Sequence, residues 1–180
     1  RGLLPSVLPN LTWSGEKLQT TRLSHLLGGR LKHPSRPWLK TRMPSFGKRG
    51  ERLARGLAAE HGMPTTATTG PRPDSNLAEI GARLTQKQGG FNCMQCHGVG
   101  KKPALAPFDN RGVNFSRVRE RLRYDFYLDW MFDPLRLDPH SKMPRFSPDR
   151  NTTAVGNVLD GDARRQFDAL WHFLQAIDDN

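Results

Sequence analysis

The sequence predicts an all-α fold, and three observations carry that expectation. Apolar residues recur at spacings of three and four: Leu77, Ile80, Leu84; then Val118, Leu122, Phe126, with Trp130 a turn on; then Phe167, Leu170, Trp171, Leu174. Each window is bounded by a cap or a breaker, among them Asp74, Gly89-Gly90, Pro134 and Asp162. Hydrophobic residues make up only 36% of 180 positions. That is low for one dense core and suits one domain or two small ones.

In chain order, residues 1–19 read mostly as loop, punctuated by Leu4-Pro5, Leu8-Pro9-Asn10 and Trp13-Ser14-Gly15. Thr20 or Thr21 caps a short helix through Leu27, stopped by Gly28-Gly29. Residues 30–47 are irregular, with Pro34, Pro37 and Pro44. Residues 48–61 form a helix, with Leu53, Ala54, Leu57 and Ala58 on one face and Gly62 past its end. The Pro-, Thr- and Gly-rich run 62–75 reads as a linker. The chain therefore divides into a first module, 1–61, the linker, and a second module, 76–178. In the second, Asp74 or Ser75 caps a helix to about Gln88. Residues 98–113 are loop, a helix spans about 116–132, and an extended segment runs from Asp138 to Phe146. Asp160 or Asp162 caps the last helix, which reaches about Ala176.

Between the first and second helical windows of that module lies Phe91-Asn92-Cys93-Met94-Gln95-Cys96-His97. Cys-x-x-Cys-His is the attachment sequence of a c-type haem. Two thiols three positions apart each bond one vinyl group of the porphyrin, and the following imidazole lies under the iron. Cys93 and Cys96 are the only cysteines. A zinc site needs four ligands, and no second Cys-x-x-Cys or His-x-x-x-His exists to supply them. No strand-helix-strand pattern surrounds the pair, as a thioredoxin-type dithiol would require. A disulfide across so short a loop would be strained.

Net charge is +11 with histidine neutral. The lysines and arginines are spread along the chain, with no basic helix and no base-stacking aromatic motif. Such a surface suits an acidic protein partner rather than nucleic acid. No run of 18 apolar residues is present to span a membrane. The chain begins at Arg1, so it is expected to be a processed or excised piece. Covalent haem attachment places the mature protein in the periplasm or otherwise outside the cytoplasm.

The order of helix, Cys-x-x-Cys-His, proline loop, middle helix, Met-Pro loop and last helix resembles the class I c-type cytochrome fold over residues 75–178. The resemblance implies that the first and last helices cross, with Gly81 meeting Trp171. It implies His97 and Met143 as the two axial iron ligands, and a proline carbonyl, best matched by Pro107 with Pro103 as the alternative, accepting from the second ring nitrogen of His97. Met143 stands in Lys-Met-Pro-Arg-Phe among Pro139, Pro144 and Pro148, which stiffen the loop that would hold the sulfur. A thioether is a soft, neutral ligand that favours ferrous iron. His140 is the alternative ligand, and packing is the alternative role for Met143. Met94 and Met131 read as packing. Trp130 and Arg145 are candidate propionate contacts, with packing and solvated charge as their alternatives.

The first module repeats part of the second. Asn10-Leu11, Glu16-Lys17-Leu18 match Asn114-Phe115, Glu120-Arg121-Leu122 at an offset of 104, and Arg42-Met43-Pro44-Ser45-Phe46 matches Lys142-Met143-Pro144-Arg145-Phe146 at an offset of 100. Residues 10–61 thus look like the back half of a cytochrome-like module without its own Cys-x-x-Cys-His. Either the missing half lies upstream and Met43 ligates a second haem supplied from elsewhere, or the module has lost its haem and serves as a docking platform. Tandem modules of this kind resemble those at the C-terminal end of larger bacterial periplasmic redox proteins. The expected function is electron transfer by one covalently bound, six-coordinate haem c, as a carrier or as a relay within a larger redox complex, and not as an enzyme in itself. An open-iron, peroxidase-like enzyme and a haem-bearing assembly subunit are the alternatives.

Overall fold

A computed structural model describes residues 11–37, 43–66, 68, 70–106 and 111–177. Among them the chain is all-helical: α1 Ser14–Lys17, α2 Thr20–Leu27, α3 Gly50–Glu60, α4 Ser75–Leu84, α5 Val118–Arg121, α6 Tyr124–Phe132, α7 Pro134–Leu137 and α8 Ala163–Ala176. No β-strand forms among the described residues. Isolated bridges join Leu18 to Leu122, Val99 to Lys102 and Thr152 to Asp162.

The larger core lies in the second module and is organised by the crossing of α4 and α8. The Asp74 carboxylate caps α4 by accepting from Leu77 N–H at 2.9 Å, and Asp162 caps α8 by accepting from Arg165 N–H at 2.8 Å. Each satisfies one of the unpaired amides of a first helical turn. Where the helices meet, a Cβ added to Gly81 would lie 2.1 Å from the Ala169 carbonyl oxygen and 2.8 Å from Phe173 Cβ. The glycine therefore sets how closely the two backbones approach. The aromatic beside it is Phe173, and not the expected Trp171. Ala169 and Phe173 are one turn apart on one face, whereas a residue two positions on from Ala169 faces elsewhere. Trp171 packs on Tyr124 and Tyr127, with ring centroids 5.3 and 4.9 Å away.

Two predicted helices are cut short for stated reasons. The first of the second module ends at Leu84 rather than Gln88. Thr85 is fully buried and its hydroxyl donates back to the Ala82 carbonyl at 2.7 Å. The chain then reverses, so that Phe91 N–H reaches the Leu84 carbonyl at 2.7 Å. The predicted 116–132 helix is broken into α5 and α6 by extended backbone at Leu122 and Arg123. The peptide groups there pair with the first module. Two short helices, α1 and α7, were not legible as such. The Asp133 side chain and the Pro134 that follows it start α7.

In the first module α2 packs on α3 around Leu23, Leu27 and Ala54, with Leu18, Leu26, Met43 and Leu57 against them. Gly28 is more than a helix stop. A Cβ on Gly50 would come within 2.5 Å of the Gly28 amide, so these glycines let α3 start against the end of α2.

The modules meet through a symmetric joint. Gln19 N–H donates to the Arg121 carbonyl at 2.9 Å, and Arg123 N–H donates to the Lys17 carbonyl at 3.1 Å. The side chains repeat the exchange: Gln19 Nε2 donates to the Leu122 carbonyl at 3.0 Å, and Arg123 Nε to the Leu18 carbonyl at 3.1 Å. These are the positions related by the sequence offset of 104. The 62–75 segment is pinned to this joint, with Pro64 accepting from Arg123 and Thr68 N–H donating to Gln19. It is a strap over the joint more than a spacer.

Gly81→Ala should destabilise the second module by about 1–3 kcal/mol in urea unfolding, since the added carbon meets backbone. Gly56→Ala, where an added carbon has nothing within 4 Å, should instead stabilise by up to about 1 kcal/mol.

Candidate functional site

The motif is held by the end of α4. Asn92 takes the left-handed conformation, φ 56° and ψ 36°, which asparagine tolerates better than most residues. That turn redirects the chain from Phe91, which lies on the core, into the short 3-10 turn Cys93–Gln95. Asn92 N–H donates to the Gln86 carbonyl at 2.9 Å, and His97 N–H to the Cys93 carbonyl at 3.0 Å. The following loop is fastened back on the motif: Leu105 N–H reaches the Met94 carbonyl and Gly112 N–H the Cys96 carbonyl, at 3.0 and 2.9 Å.

His97 is fixed on three sides. Its Nδ1 lies 2.8 Å from the Val113 carbonyl oxygen. A carbonyl only accepts, so the proton sits on Nδ1 and Nε2 keeps its lone pair. The ring stacks on Phe115, with centroids 4.6 Å apart and planes at 19°. Gly112 lies against the ring, since a Cβ there would meet it at 2.5 Å. Burial lowers the pKa of His97 below its ordinary value, which favours the neutral, ligating form. The expected carbonyl partner, Pro107, lies outside the described residues. The bond assigned to it is made by Val113, a residue that nothing in the sequence marks.

Both cysteines are free thiols. Burial, with Cys96 adding to it, pushes the Cys93 thiol up to about 12. The same burial disfavours the thiolate form of Cys93. Among the described residues no three His, Cys, Asp or Glu side chains converge to hold a metal ion.

Met143 lies partly buried against the same apolar cluster as Cys93 and Phe91. Trp130 Nε1–H points at its sulfur from 2.9 Å. Trp130, a candidate propionate contact or packing residue, gives its one donor to Met143 here. Lys17, from the first module, lies over the Trp130 ring, with Nζ 5.1 Å from the centroid. Burial, followed by the nearby Arg121 and Arg36 charges, lowers the Lys17 pKa to about 8. His140, the alternative ligand, is exposed. Met131 is core, as expected, and the Met94 sulfur accepts from Gln86 Nε2 at 3.5 Å. Arg145 pairs with Asp133 at 2.5 Å and lines an open groove of about 560 Å3 with Phe91, Phe146 and the 148–154 loop. Met43 packs against the separate first-module cluster.

The site thus offers one aimed imidazole, one thioether and two thiols. An imidazole and a thioether are too few for a bare ion, and together with two thiols in Cys-x-x-Cys-His they are the donor set that would hold an iron porphyrin. In that sense the residues fit an iron porphyrin. No protein-family model matches the chain, and no curated protein or solved structure matches it either.

Gly112→Ala should turn the His97 ring away from Val113. The check is the slowly exchanging Nδ1–H resonance by NMR, which should be lost or shifted while the core resonances of Phe167 and Trp171 stay in place.

Proposed function

We propose that the second module is an electron-transfer module of the class I cytochrome c type, with one haem c bound through Cys93 and Cys96. The observation that carries this reading is His97. Inside a Cys-x-x-Cys-His sequence, its Nδ1–H is engaged by Val113, which leaves Nε2 as the one free donor. On this reading His97 and Met143 would hold the iron. The bound group would supply one-electron chemistry through its iron.

The chain's own residues do the rest. Phe115 and Gly112 stop the His97 ring from rotating, so the ligand geometry is the same in both oxidation states. The Trp130 N–H is directed at the Met143 sulfur, which would make that sulfur a weaker donor to ferric iron and so raise the potential. The apolar cluster that includes Phe91, Phe146 and Val99 keeps water away. With His97 and Met143 both holding the metal, substrate would have no access to it. That favours a relay over an enzyme. The net charge of +11 suits an acidic redox partner, steering its approach and raising the on-rate. Covalent haem attachment belongs to an exported location, the periplasm in a bacterium.

The decisive measurement is the mass of the denatured chain: it should carry one porphyrin, and Cys93→Ser with Cys96→Ser should abolish it. A denatured chain without porphyrin overturns the proposal. Met143→Ala should leave haem attached and lower the reduction potential markedly in spectroelectrochemistry. Trp130→Phe should lower it by less. A high-spin ferric spectrum in the unaltered protein would favour an open-iron enzyme instead.

A further inference from the structure

We infer that the first module is the seat of a second haem-bearing segment: a helix followed by Cys-x-x-Cys-His, contributed by polypeptide that precedes Arg1. The inference rests on the proposed function of the second module and extends it to the first.

The structural correspondence is closer than the sequence repeat. Helices α1 and α5 begin and end at positions 104 apart, and both are followed by extended backbone at Leu18 and Leu122. Helices α3 and α8 begin 113 apart, at Gly50 and Ala163, and both first residues are buried. In that register Ala54 matches Phe167 and Ala58 matches Trp171, and all four are buried. Gly56 then matches Ala169.

What differs is cover. In the second module, residues 75–97 lie over three of these positions. Gly81 meets the Ala169 backbone. Phe91 packs on Phe146 with centroids 4.7 Å apart. His97 stacks on Phe115, which is 8% exposed. Their first-module counterparts are bare. Gly56 has nothing within 4 Å of an added Cβ, Phe46 is 46% exposed and Leu11 is 54% exposed. Exposed large apolar residues are few, and these two are positions whose mates are covered by a helix and its haem motif. Met43, the mate of Met143, packs on the Leu23, Leu27 and Ala54 cluster of the same module. The pattern names the occupant, because the same chain shows what covers this surface in its other copy. It also names the source. In the second module the covering segment precedes α5, so by the repeat offset its counterpart precedes α1.

The test is the porphyrin count of the complete gene product purified from its host, by denatured intact mass and peptide mapping. Two haems per chain, the second on a Cys-x-x-Cys-His ahead of residue 1, are expected. One haem, at Cys93 and Cys96 alone, overturns this inference and leaves the proposed function intact, whereas none overturns both. A second haem found on a separate co-purifying polypeptide also overturns it. In the two-haem protein, Met43→Ala should remove about half of the sulfur-to-iron charge-transfer band of the ferric form, and Met143→Ala the other half. Gly56→Leu should act like Met43→Ala, while leaving the Met143 half unchanged. Loss of the Met143 half in either first-module variant would count against the assignment.

Discussion

The crossing of α4 on α8 is the constraint on which the rest depends. Gly81 against the Ala169 carbonyl leaves no room for a side chain, so the relative position of the helices is fixed by backbone contact. Everything in the motif is measured from the end of α4. The buried Thr85, the Leu84 carbonyl that holds Phe91, and the left-handed Asn92 pass that position on to Cys93 and His97. From the other direction, Asp133, Arg145 and the Asp149 turn shape the loop that carries Met143 towards α8. Hydrogen bonds from Thr152 and Asn151 hold the Asp149 carboxyl low, at about 2.

Helix content was legible because it rests on local chemistry. Asp74 and Asp162 cap as their positions predict, and the apolar stripes of α4 and α8 face one another. The break at Leu122-Arg123 was not legible, since nothing local opposes a helix there. It exists because Lys17 and Gln19, a hundred residues away, accept and donate the peptide hydrogen bonds that a helix would have used. The same holds at the site. The motif announced Cys93, Cys96 and His97, but a backbone carbonyl has no letter of its own, and Val113 could not be read. The Trp130 contact with the Met143 sulfur could not be read either, since the two are brought together only by the fold. Lys17 was missed because it reaches the site from the other module.

That reach makes the two modules one unit. Arg123 is 3% exposed and spends its guanidinium on the Gly15, Leu18 and Pro64 carbonyls and on Thr20 and Thr68. A buried cation with so many partners costs little only while all of them stay in place. Detaching the first module would strand it. Stability in the second module is therefore linked to a region that contributes no residue to the Cys-x-x-Cys-His motif.

The joint is two-fold in its backbone but not in its side chains. Where one half presents Gln19, the other presents Arg123. Had both been arginine, two desolvated like charges would face each other across the axis. Two copies of the second module attempting to pair through this edge would meet that repulsion, whereas the neutral amide of the first module does not. A single unlike residue pair thus steers each half towards its own chain-mate and away from a stranger's identical edge, a form of selectivity written into an otherwise self-complementary surface.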